Sequence, residues 1–354
     1  MNTWSAAPDA ALPSDPPPAS SPASPASSAA APLAWSSTLP KELVHRVSPA
    51  EVLLTDVRPA GEHAFAAAAF WPRSHPTFDR AGDGRHDPLM VAETMRQLGI
   101  CIPLRFYRVA PDARFIIEEL NFGLDPGAEP RARHGGSQIA CEVLADRIRP
   151  AGRTPPRSLR LTAAFTSAGA LFAHARGTAR ILSPAAYAAV RGGRPGAAGH
   201  RLEERCVGDH GAGEHGVGTD ARGAAAAEGC FQAPGAARVG VPQDTDVLIG
   251  VDRAGAVRLA PADPCHPFFF DHPCDHVPGV VLIEAVRQAA AWRSPGPAPR
   301  TVSCAVRALH FTEPSPPALI QCAVGDGVCD FEIRQPSGST ARGVLRFQQP
   351  DHST

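Results

Sequence analysis

Lysine is almost missing from this 354-residue chain: Lys41 is the only one, so nearly all of the positive charge is arginine. Abundant alanine, glycine, proline and arginine accompany that scarcity, and together they read as GC-rich codon bias. Charge of any sign is sparse at 19%, and the formal net charge is −1. That balance gives no bulk electrostatic reason for binding nucleic acid or an anionic membrane. The nine cysteines form no C-x-x-C pair and no zinc-ligand array. An odd count without a framework predicts reduced thiols and a cytoplasmic protein. No apolar run approaches the roughly 18 residues needed to cross a bilayer. The N-terminus has no basic region followed by an apolar core, so no secretory signal is expected.

What the chain does have is punctuation. Residues 1–38 are a nearly uncharged Pro/Ala/Ser tract, which cannot bury enough apolar area to offset its ordering entropy and is expected to be disordered. Residues 192–238 are rich in Gly, Ala, His and Arg without periodicity, and predict a flexible linker or insertion. His200, His210 and His215 lie there with no metal-ligand spacing, so they are expected to be solvated. Between and beyond these stretches are two units, 39–191 and 239–350. In each, early strand sequence precedes a loop, one long helix and three or four further strands. In the first, Asp87 and Pro88 suit the start of a helix running to about Leu104. In the second, the helix spans Pro278 to about Trp292. One helix with a run of antiparallel strands implies an α+β fold in which the sheet wraps the helix.

A repeated pattern links the units. His75-Pro76 is followed by Glu93-x-x-Arg96-Gln97, and His266-Pro267 by Glu284-x-x-Arg287-Gln288, at the same spacing and a constant offset of 191 residues. Glu, Arg and Gln at i, i+3 and i+4 share one helical face. The second helix opens at Pro278-Gly279, where free amides and the helix dipole can stabilise an anionic carbonyl oxygen. A carboxylate beside such a start has the parts for acyl chemistry, taking a proton from an attacking hydroxyl. The alternative is a buried Glu–Arg pair that only fixes helix to sheet. The copies also differ: Arg80 and Ala81 stand in the first where Asp271 and His272 stand in the second.

Phe268-Phe269 and Pro278-Gly-Val-Val-Leu-Ile-Glu-Ala285 resemble the β-hydroxyacyl carrier-protein dehydratases of the hotdog fold. His272 takes the position of their catalytic histidine, but the loop from it to Pro278 is two residues shorter than theirs. The chain as a whole resembles the AfsA family of tandem-hotdog enzymes in γ-butyrolactone autoregulator biosynthesis. The residues that carry this are Leu43-Val-His-Arg46, Glu51-Val-Leu-Leu-Thr-Asp56, Pro72-Arg-Ser-His-Pro76, Asp87-Pro-Leu through Gln97, Tyr187 to Arg191, and Asp271-His-Pro-x-Asp-His-Val-Pro-Gly279 through Gln288.

The resemblance implies a double hotdog. It also implies transfer of a β-ketoacyl group from acyl carrier protein or CoA to the hydroxyl of dihydroxyacetone phosphate, with no cofactor or metal. Under it, Glu284 or Glu93 would activate the hydroxyl, assisted by His272, His276 or His266. Gly279 amides would hold the thioester oxygen. Arg96 or Arg287 would pair with phosphate, and Gln97, Gln288 and His75 would complete the substrate-binding set. By analogy with hotdog pairs, His272 is expected to face Glu93 across one asymmetric site. The pairing would lie within one chain, as a monomer, or in a homodimer. A hotdog thioesterase or dehydratase, and a non-catalytic acyl-binding protein, are the alternatives.

Overall fold

The computed structural model describes residues 32–80, 82–132, 134–149, 154–192 and 231–349. Residues 1–31, Ala81, His200, His210, His215 and most of the expected linker lie outside them.

Twelve strands form one antiparallel sheet. The first unit supplies β1 (Leu54–Gly61), β2 (Ala64–Pro72), β3 (Arg114–Leu124), β4 (Gly136–Arg149), β5 (Ser158–Ser167) and β6 (Ala170–Leu182). The second supplies β7 (Ile249–Val251), β8 (Val257–Leu259), β9 (Thr301–Ala308), β10 (Leu319–Gly325), β11 (Val328–Gln335) and β12 (Gly338–Phe347). Their order across the sheet is β1-β2-β4-β5-β6-β3-β9-β12-β11-β10-β8-β7. Read outward from the middle, the two halves have the same order, as a duplication requires. They meet at β3 and β9, where Leu120 faces Val306 and Phe122 faces Cys304. These four are buried, while Glu119 and Arg307 form an outer ion pair at 3.8 Å. The period-2 alternation of buried residues is clear along β4, β5 and β11, as strands covered on one face require.

Each half wraps one long helix, α1 (Leu89–Phe106) or, in the second unit, a helix from Gly279 to Arg293. A shorter helix, α2 (Pro184–Gly192), lies between them in sequence, so the second central helix is α3. Both central helices are buried around most of their circumference. This matches their sequences, which are apolar apart from the repeated Glu, Arg and Gln. At the start of α1 the Asp87 carboxylate accepts the Leu89 amide at 2.8 Å.

The expected elements recur with small shifts, and four expectations need correction. The strand β8 was not foreseen, since three residues carry too little alternation to read. Residues 231–238, assigned to the flexible linker, sit on the second unit. Gln232 bridges to Val251, and a single helical turn at Ala236–Val239 lets Arg238 donate to the Ala291 carbonyl at 2.6 Å, capping α3. Ala34, placed in the disordered tail, donates its amide to Asp56 Oδ2 at 3.0 Å. The reduced-thiol expectation also fails at one position. Cys265 is disulfide-bonded, whereas Cys101, Cys141, Cys274, Cys304, Cys322 and Cys329 are free.

Where β9 and β12 pair, a side chain at Gly343 would place its Cβ 2.0 Å from the Ala305 carbonyl oxygen and 2.8 Å from the Phe331 ring. The neighbour is backbone and cannot swing away. Gly343→Ala is expected to destabilise the fold by about 2 kcal/mol or more, read as a lowered midpoint in urea unfolding. An unchanged midpoint would contradict this close approach.

Candidate active site

The Glu-x-x-Arg-Gln faces build two buried hubs. In the first, Glu93 is 0% exposed. Its carboxylate is held by Arg96 through Nε and Nη2, both at 2.8 Å, by Gln97 Nε2 at 2.6 Å, and by Arg46 at 2.9 Å. Gln97 ties the helix to the segment entering β1. Its Oε1 accepts the Leu53 and Leu54 amides, and its Nε2 donates to the Glu51 carbonyl. His75 Nε2 meets Glu51 Oε2 at 2.9 Å, and its Nδ1 accepts the Thr77 amide. Burial opposes ionisation of Glu93, but Arg46 and Arg96 outweigh it and hold the carboxyl at about 2.

The second hub repeats the plan. Glu284, also 0% exposed, is held by Arg287 at 3.0 Å, Gln288 at 3.0 Å and Arg80 at 2.9 Å. Gln288 accepts the Leu248 amide and donates to the Asp246 carbonyl. His266 Nε2 lies 2.9 Å from Asp246 Oδ1, while its Nδ1 accepts the Phe268 and Phe269 amides. Arg287 also grips Asp87 in a fork, at 2.7 and 3.1 Å.

The second hub is completed from the first unit, and the first hub reaches into the second. Arg46, from the first, donates to the Phe268 carbonyl at 2.7 Å and lies 3.4 Å from Asp271, both in the second. Arg80 and Asp87, from the first, serve Glu284 and Arg287 in the second. The aromatic contact of Phe78 with Phe268, 4.6 Å between centroids, joins the same loops.

A cleft of about 810 Å³ opens between α1 and the start of α3. Arg96, Gly279, His272 and His276 line it. Glu93, Gln97, His75, Glu284, Arg287, Gln288 and His266 do not; they are the hubs behind its wall. His272 does not touch Glu93. It reaches it through Asp271, 2.6 Å from His272 Nδ1, and then through Arg46.

Two Asp–His pairs face the cleft from one loop. In the first, the hydrogen bond that His272 donates to Asp271 is the leading cause that lifts His272 to about 9, with the Cys274 side chain adding to it. In the second, His276 Nδ1 lies 2.8 Å from Asp275 Oδ1, which also accepts from the Tyr187 hydroxyl at 2.6 Å. Arg191 donates to the Asp275 carbonyl at 2.7 Å and to Glu313 at 2.7 and 2.9 Å, fastening α2 over this loop. The Gly279 and Val280 amides precede the first helical bonds, which run from Val281 and Leu282 to the Pro278 carbonyl. Apolar side chains, among them Met95, Ile100, Leu120, Leu161, Leu282 and Val306, line the rest. The arrangement joins an apolar channel, two oriented imidazoles and a helix start, which suits a fatty acyl thioester.

The family model described as the A-factor biosynthesis hotdog domain, AfsA, matches residues 28–183 and 236–331. This chain belongs to the AfsA family. Among its AfsA relatives is 2-oxo-3-(phosphooxy)propyl 3-oxoalkanoate synthase of Streptomyces virginiae, 32% identical over 259 residues, or 72% of this chain and 76% of the relative. The protein of that name from Streptomyces coelicolor is 30% identical over 293 residues, covering 82% and 83%. Solved structures are much more distant. An acyl-ACP thioesterase from Bacteroides thetaiotaomicron has a TM-score of 0.43 at 10% identity, covering 81% of this chain and 98% of that one. At that distance it carries no argument about activity.

Sequence reasoning missed His45, Arg114 and Cys274 as cleft residues and Asp271 and Asp275 as the partners of the two histidines. The doubled Asp-His dipeptide was a legible signal for the last two. Arg114 carries none, because it reaches the cleft only through the pairing of β3. Among the described residues no group of three or more His, Cys, Asp or Glu side chains is placed to hold a metal, and no helix is long and apolar enough to cross a membrane.

Two outcomes follow from the charges. Replacing Glu93 or Glu284 by Gln leaves buried guanidinium charge uncompensated, and each is expected to cost about 3 kcal/mol of unfolding free energy. Losses below about 1 kcal/mol, measured by urea unfolding, would reject the hubs as structural. Because the folded-state value of His272 is raised, its pairing with Asp271 stabilises the fold below 6.5 and is lost as pH rises through about 9. Imidazole NMR should place the His272 titration near 9 and Asp271→Asn should bring it down toward 6.5.

Proposed function

We propose that the chain transfers a β-ketoacyl group from a carrier-bound thioester to the hydroxyl of dihydroxyacetone phosphate, forming the ester that precedes a butenolide. The observation that carries this reading is the pair of Asp–His dyads beside the opening of α3, at the end of an apolar cleft. The identity of about 30% over most of the chain to synthases of that name supports it. Acyl carrier protein, or CoA in its place, is the donor.

In this scheme the thioester oxygen lies against the Gly279 and Val280 amides, and the acyl chain lies along Met95, Ile100 and Leu161. His276, with Nδ1 turned to Asp275, takes the hydroxyl proton at Nε2 as the new C–O bond forms. The C–S bond then breaks. His272, protonated at neutral pH beside Asp271, gives its Nε2 proton to the leaving thiolate. Glu93 and Glu284 are positioning residues, not the base expected from sequence. Each is sealed from the cleft and occupied by two guanidiniums. Arg287 is likewise committed to Asp87 and Glu284, which leaves Arg96 as the cleft arginine of the expected pair.

Incubating the protein with a β-ketoacyl carrier protein, with and without dihydroxyacetone phosphate, tests the reading by mass spectrometry of the product. An ester appearing only with the acceptor is expected. Thiol release at the same rate without acceptor would make the protein a thioesterase. His272→Gln and His276→Gln should each lower kcat by about a hundredfold or more, and wild-type turnover in both would discard the dyads.

A further inference from the structure

The proposed acceptor carries a phosphate dianion, and of the machinery described so far only Arg96, already engaged with Glu93, faces the cleft to meet it. Arg114 opens β3 on the wall of the cleft, and its side chain is exposed there. Among the described residues no carboxylate lies within ion-pair distance of it. Arg96 lines the same wall, with its Nε and Nη2 on Glu93 and with Nη2 also on the Val44 carbonyl.

The charges around this corner do not cancel. Arg46, Arg96, Arg114 and protonated His272 stand against three carboxylates, Glu93, Asp271 and, acting on Arg46 more weakly, the Glu51 that His75 meets. Glu118 and Glu119 on the same wall are matched by Arg180 and Arg307. Tyr187, which Arg114 also reaches electrostatically, lies by Asp275 and Glu313, and these share Arg191, so an anion is disfavoured on that side of Arg114. The positive excess is therefore local to Arg96, Arg114 and the loop at His45.

His45 marks the same corner independently. It holds a left-handed conformation, φ 50 and ψ 55, at the end of a short 3-10 helix, a conformation that costs a non-glycine residue energy and concentrates at functional sites. Its ring sits edge-on to Phe115, 5.3 Å between centroids. Burial first, then Arg96, His272 and Arg114, hold it neutral, at about 4, while one ring nitrogen bonds to the Pro111 carbonyl.

We propose that Arg114 and Arg96 form the seat for the acceptor's phosphate, beside the ring of His45, so that Arg114 selects a phosphorylated acceptor over an unphosphorylated one. The inference rests on the transferase reading for the identity of the acceptor, but not for the existence of a phosphate seat. A guanidinium suits this role because its fork matches two phosphate oxygens.

The test uses the full chain and Arg114→Gln, with Arg160→Gln, an arginine paired to Asp146 outside the cleft, as control. With wild-type protein, dihydroxyacetone phosphate should be preferred over dihydroxyacetone. In Arg114→Gln the ratio of the two kcat/KM values should fall at least tenfold, mostly through KM for the phosphorylated acceptor, with Arg114→Lys giving partial recovery. Inorganic phosphate should bind wild type in calorimetry and bind Arg114→Gln at least tenfold more weakly. An unchanged ratio and unchanged phosphate affinity overturn the seat. A raised KM for the carrier-protein donor, absent with a phosphate-free pantetheine donor, overturns the acceptor assignment by moving the phosphate to the donor arm. If wild type forms no ester at all, the transferase reading fails, while phosphate affinity still decides the seat.

Discussion

Two carboxylates with no exposure to solvent hold this molecule in register. A buried Glu left alone would protonate or unfold its surroundings. Glu93 and Glu284 stay charged because each receives one arginine from its own helix and one from elsewhere in the first unit, Arg46 or Arg80. Arg46 also closes onto Asp271 and the Phe268 carbonyl, and Asp87 closes onto Arg287. The ion pairs thus cross between units, and α3 has no complete electrostatic environment without the first unit's loop. The gln residues extend the constraint outward by fixing each helix to the segment before its edge strand.

The duplication is exact in strand order and unequal in chemistry. Arg80 stands where the second copy has Asp271. In one copy that position feeds a guanidinium into a closed hub, and in the other it supplies the carboxylate that orients an imidazole at the cleft. The same hub geometry therefore serves two ends. It locks the helices together, and through Arg46 and Asp271 it fixes the ring of His272 without itself meeting solvent. Small changes in the hub would be felt at the imidazole as misorientation more than as lost contact.

Much of this was legible before the structure. The 191-residue offset identified the two units, and in each the order of early strand, loop, one long helix and further strands was read before the structure. Glu-x-x-Arg-Gln read correctly as one polar face. What the pattern could not state is which way that face turns. A Glu–Arg pair at i and i+3 looks the same whether it lines a cleft or seals a core, and the deciding residues, Arg46 and Arg80, are 47 and 204 positions from the glutamates they meet. His45 and Arg114 were hidden for the same reason, since backbone conformation and strand pairing bring them to the site. The Asp-His dipeptides were in plain view, and their use as oriented pairs could have been argued from adjacency alone.

The central seam between β3 and β9 has a consequence for the order in which the protein is made. The first unit leaves the ribosome with β3 as an unpaired edge of buried-type residues, Leu120 and Phe122, and its natural partner is still some 180 residues away in the chain. An exposed apolar edge is a template for pairing with other chains. Until β9 emerges, the nascent first unit is at its most vulnerable to association, and the covalent link between the units then supplies the correct partner at high local concentration.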